Sequence, residues 1–78
     1  MLQQVLLLAS LVKTSDVIGI SAEVTAPIPG NSVGEIAYVA MGERHTATAR
    51  SHDGSSIPRG ALVTILSLAG TVMIVKTK

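Results

Sequence analysis

The sequence predicts an all-β fold, a small five-stranded barrel, and three observations lead there. The interior must be aliphatic: 47% of the 78 residues are apolar, yet the chain holds one tyrosine and neither Phe nor Trp. Such a supply of Val and Ile suits the pleated surface of a strand. From Val17 onward, apolar positions recur with a period of two. Glycine and proline interrupt that alternation at strand-length intervals, which marks turns. A chain of 78 residues has room for one core, and closing the sheet on itself removes exposed edges.

Residues 1–15 stand apart from residues 16–78, where the barrel is expected. The opening "MLQQVLLLASLV" is interrupted by Gln3, Gln4 and Ser10 and ends at Lys13, about half the ~20 residues a spanning helix needs. It lacks the basic start and Ala-x-Ala exit of a secretory signal. As a helix it would gather Leu2, Val5, Leu6, Ala9 and Val12 on one face, with Leu7, Leu8 and Leu11 opposite. The segment is expected to be a short helix or tail, or a membrane-proximal linker.

After "KTSD" the extended pattern begins. In "VIGISAEVTAPI" the even positions Ile18, Ile20, Ala22, Val24, Ala26 and Ile28 are apolar and those between are mostly small or polar, predicting a strand with one buried face. "PIPGNS" ends it, with Pro29 and Gly30 as the central residues of a type II turn and positive φ at Gly30. "VGEIAYVAM" is apolar on both faces, so a central or covered strand is expected. A two-residue loop of Gly42 and Glu43 should turn the chain as a type II′ hairpin. "RHTATAR" alternates Arg44, Thr46, Thr48 and Arg50 against small inward residues, and "ALVTILSLAGTVMIVKTK" supplies two last strands around a turn at Ala69 and Gly70.

The longer connection "ARSHDGSSIPRG", Ala49 to Gly60, collects Ser51, His52, Asp53, Ser55 and Ser56. A nucleophilic triad needs its members brought together from separate parts of a fold, beside oxyanion donors. Here they are sequence neighbours, without the glycine frame of a nucleophile elbow. A structural turn is the expectation: Asp53 and Gly54 bend the chain, Ile57 anchors it, Pro58 stiffens it and Gly60 admits the next strand. His45 and His52 are expected at the surface, because their spacing and the carboxylates Glu43 and Asp53 match no metal-ligand pattern. The seven glycines form no phosphate loop. Six basic and five acidic residues are dispersed, giving net charge +1 and no stripe for nucleic acid or anionic lipid. With no cysteine, the fold rests on neither disulfides nor thiolate-bound zinc, which fits a reducing compartment. No catalytic, cofactor or metal residue is assigned, and no contact face is marked.

The strand inventory alone admits both an SH3-like barrel and an OB-fold. Five ordered stretches then resemble one family: "VIGISAEVTAPI", "GEIAYV", "MGERHTATA", "IPRGALVTI" and "AGTVMIV" are similar to the C-terminal soluble domain of NfeD proteins in the short form that lacks a protease region. The resemblance covers Val17 to Val75. The "PIPGNSV" turn is longer than the family's usual proline-glycine loop, and His45 stands where members often carry an aromatic.

The resemblance implies an OB-fold-like Greek-key barrel behind transmembrane helices upstream of this chain, in a multi-pass cell-membrane protein with the domain on the cytoplasmic side. It implies a non-enzymatic interaction domain for flotillin- or stomatin-like membrane proteins, serving membrane integrity and stress response. No cofactor is implied, and the serine-lysine protease of the family's long forms matches no residue here. Self-association is a further expectation. The alternative is an OB-fold oligonucleotide- or oligosaccharide-binding module. Such modules stack bases on exposed aromatics along a basic groove, whereas this chain offers Tyr38 alone, a residue better suited to packing between strands.

Overall fold

A computed structural model describes residues 17–78. The expected helix, tail or linker of residues 1–15 lies outside the described residues. The rest is an all-strand closed barrel of β1 (Ser21–Ala26), β2 (Val33–Ala40), β3 (Glu43–Ser51), β4 (Leu62–Ala69) and β5 (Val72–Thr77), in the circular order β1-β2-β3-β5-β4. Every neighbouring pair is antiparallel except β3 and β5, which run parallel because the Ser51–Ala61 connection crosses the end of the barrel. This is the OB-fold-like Greek key that the family resemblance implies. Two short seams close it: Ser21–Glu23 against Leu62–Thr64, and Ala49–Ser51 against Met73–Val75.

The interior is as aliphatic as composition requires. Ile28, Ile36, Ala49, Val63, Ile65 and Val75 are fully buried, with Val17, Val24 and Ile57 nearly so. Burying each large aliphatic side chain contributes about 1.5–3 kcal/mol, and these nonlocal contacts hold the seams together. β3 follows its expected alternation, with Ala49 buried while Arg44, Thr46, Thr48 and Arg50 are exposed.

Three local expectations are corrected. The first strand begins at Ser21 rather than Val17: Gly19 takes φ +90° and the Ile20 N–H donates to the Val17 carbonyl at 3.1 Å. That turn puts Val17 in the core and leaves Ile18 49% exposed, the reverse of the strand reading. In the next turn positive φ falls on Asn31 and not on Gly30, while the Ser32 N–H donates to Pro29. Asparagine tolerates this conformation. The β2–β3 loop is Met41–Gly42 rather than Gly42–Glu43, and both residues have positive φ, as a type I′ turn demands. β2 is central, flanked by β1 and β3, as expected of a strand apolar on both faces; on its outer face Ala37 is buried and Val39 is 61% exposed.

Bulges account for the remaining departures from strict alternation. Thr25 is the extra residue where β1 faces β2, and Leu66 where β4 faces β5. The second changes which parity faces inward, so Leu68 packs against the core while Ser67 is exposed. The closing hairpin turns on Gly70 and Thr71, with positive φ at Gly70 as in a type II′ turn.

Candidate functional site

Two regions carry chemistry or surface worth weighing: the β3–β4 connection and the outer face of β2 and β3. In the connection the alternation of β3 delivers Ser51 to a buried position, where its hydroxyl donates to Asp53 Oδ1 at 2.6 Å. Ser55 donates to the same oxygen twice, from its hydroxyl at 2.7 Å and its N–H at 3.0 Å. The backbone bond from two residues on is an Asx turn. These bonds, Ser51's foremost, hold the Asp53 carboxyl well below its ordinary value of 3.8; His52 adds a minor attraction. A hydrogen bond to the ionised form is lost on protonation, which is the cause of the shift.

That geometry answers the question of a triad. His52 Nδ1 lies 3.9 Å from Asp53 Oδ1, beyond hydrogen-bond reach, and both serine hydroxyls point to the carboxylate rather than to the imidazole. The cluster therefore shapes a turn. Ile57 pins the loop beneath β1 through paired backbone bonds with Ile28, 2.8 and 2.9 Å long. Gly60, with φ +89°, follows Arg59 in a turn closed from Ala61 N–H to the Pro58 carbonyl. Ser51 was not singled out as a partner by sequence; the inward parity of β3 together with Ser-x-Asp-x-Ser was the available signal.

His52 is exposed as expected, whereas His45 is not a free surface histidine. It is half-buried, its ring stacks on Tyr38 with centroids 5.4 Å apart, and Nε2 is shielded without a hydrogen-bond partner among the described residues. The two are cross-strand partners on the inward side of β2 and β3. Tyr38 is thus half-buried against a neighbour rather than an open stacking platform. No group of three or more metal-binding side chains is present among the described residues.

The outer face of β2 and β3 carries Val33, Glu35, Ala37 and Val39 beside Arg50, Thr48, Thr46 and Arg44. A shallow, open concavity of about 370 Å³ lies over β1, β2 and β4, bordered by Glu23, Ala37, Val39, Arg44 and Leu62. Its apolar rim is exposed, Leu62 by 57%.

The profile of the NfeD C-terminal domain matches residues 21–76, from the start of β1 almost to the end of β5. The chain belongs to the NfeD C-terminal domain family. Solved structures agree with the NfeD assignment. The soluble domain of the NfeD protein YuaF from Bacillus subtilis is 22% identical with a TM-score of 0.76, covering 99% of this chain and 92% of its own. The C-terminal domain of stomatin operon partner protein 1510-C from Pyrococcus horikoshii is 25% identical at TM-score 0.69, covering 86% and 95%. A third, the soluble domain of a membrane protein from Corynebacterium glutamicum implicated in regulation of membrane protease activity, is 26% identical at 0.65, covering 82% and 97%. No curated protein sequence matches the chain. The NfeD barrel and its strand order are thus shared by relatives that keep only about a quarter of the residues.

Proposed function

We infer that this NfeD domain is a non-enzymatic protein-interaction module of a membrane-anchored protein, placing or assembling a flotillin- or stomatin-like partner on the cytoplasmic side of the cell membrane in the service of membrane integrity under stress. The observation that carries the reading is the outer face of β2 and β3, where exposed Val33 and Val39, threonines and separated charges form a surface fit for another protein. The names of the relatives support it: one is the C-terminal domain of a stomatin operon partner protein, and another is the soluble domain of a membrane protein. The Asp53 knot gives no reactive hydroxyl, so the chemistry of the loop is structural.

The test removes residues 17–75 from a membrane-anchored protein carrying the domain and follows its distribution together with that of a flotillin-like partner. Mislocalisation, with loss of co-purification, is expected. Unchanged distribution and unchanged co-purification would remove the basis of this reading.

A further inference from the structure

β3 pairs with β2 from Glu43 to Arg50, but with β5 only from Ala49 to Ser51. The two-residue loop makes Ala40 and Glu43 a hydrogen-bonded pair, and bonded pairs alternate along an antiparallel ladder. Tyr38–His45 and Ile36–Ala47 are the next bonded pairs, so Arg44 and Thr46 aim both N–H and C=O away from β2. The same phase holds farther along, where the His52 N–H reaches the Val75 carbonyl of β5 at 2.9 Å. β5 begins at Val72 and pairs no earlier than Ala49, leaving the edge beside Arg44 and Thr46 without a strand among the described residues. Both residues are exposed.

We propose that this edge, Glu43–Thr48, takes up an extended segment of a partner protein, carrying an acidic side chain beside Arg44, as an added strand. The proposal rests on the reading of the domain as an interaction module and names the surface and the partner's chemistry. Donors and acceptors at strand spacing are matched by another extended backbone. Charge selects among such backbones. The side chains of Arg44, Thr46 and Thr48 share the outer face of β3, and Arg50 lies beyond the open stretch beside β5, so alternate side chains of an added strand lie beside the Arg44 guanidinium and two threonines. The carboxylate of the neighbouring strand on that face, Glu35, lies opposite Thr48 and accepts from the Thr25 hydroxyl at 2.7 Å. A second copy of the same edge fits poorly. The register that would pair each Arg44 with Thr46 of the other chain sets the two Arg44 side chains diagonally on one face, about 7–8 Å apart, and like charges there repel.

Two capped octapeptides serve as probes: alternating Glu-Val-Thr-Val repeated twice, and the same peptide with Lys for Glu. Amide exchange and heteronuclear NMR shifts are read on the whole chain. In the free protein, Arg44 and Thr46 exchange fast while His45 and Ala47 are protected by β2. With the acidic peptide, exchange at Arg44 and Thr46 slows by about tenfold and shifts centre on them; the basic peptide does neither. Thr46→Pro, which removes an N–H aimed at the edge and not at β2, abolishes the response. Should that variant lose its fold, Arg44→Glu provides the second test by transferring the response to the basic peptide. Shifts centred elsewhere, no shifts, equal response to both peptides, or edge protection that grows with protein concentration alone would each overturn the proposal. A silent edge alongside mislocalisation after domain deletion would reject this surface and leave the interaction reading standing.

Discussion

Met41 and Asp53 show how single residues bear on this fold in opposite ways. Met41 is a side chain with φ 55° and 75% exposure, so it bears left-handed strain and little compensating burial. Met41→Asn creates the Asn-Gly pair that a type I′ turn prefers, and should raise stability by about 0.5–1 kcal/mol in urea denaturation. An unchanged or lower midpoint would contradict the turn assignment. Asp53 is instead well matched to its place. Because its folded pKa lies below the unfolded value, its contribution is fully present above pH 3.8 and fades as pH falls through the folded value. The stability it contributes should therefore decline below about pH 4, while the Ser51–Ser55 turn itself loosens only as pH falls through the lower folded value; Asp53→Asn should remove both responses when urea midpoints and the Ser55 amide shift are followed through the titration. Asp-Gly and the following serines made the turn legible in sequence. The convergence of both hydroxyls on one oxygen was not, since it depends on where β3 ends.

Elements were read correctly where period and packing agree, and misplaced where a local backbone constraint intervenes. β3 follows its alternation, whereas β1 is shortened by Gly19 and re-phased by the Thr25 bulge, and β4 changes its inward parity at the Leu66 bulge. Gly34 on β2 reveals what that bulge requires. A Cβ there would collide with the carbonyl oxygens of Ala26 and Pro27 and with the Ile28 side chain, because the chain leaving β1 passes directly over it. Two of those three neighbours are backbone, which cannot rotate aside. Gly34→Ala should cost about 1–3 kcal/mol of stability, read as a lower urea midpoint with a native-like far-ultraviolet spectrum in water. A neutral substitution would mean that the crossing is loose. Sequence marked Gly34 only as the second residue of a strand, because the neighbour that demands glycine arrives from another part of the chain.

For the whole molecule, closure of the barrel decides which residues face a partner. It turns Tyr38 inward against His45 and leaves Val39, Leu62 and the arginines outside. A short single-stranded oligonucleotide is accordingly expected to produce no salt-sensitive binding to the isolated domain, and Tyr38→Ala to lower stability instead; tight capture with Tyr38 shifts would reverse that expectation. The sequence by itself determined the strand-rich class, the aliphatic core, the approximate turns and the family, because these follow from composition, local periodicity and five short stretches. Only the tertiary structure decided that β3 runs parallel to β5, that the seams are short, that His45 is sheltered and that no strand among the described residues pairs with the Arg44–Thr46 edge. Pairing between distant strands is a nonlocal property, fixed by which closure buries Ile28, Ile36, Ile65 and Val75 together, and no stretch of chain read in isolation contains it.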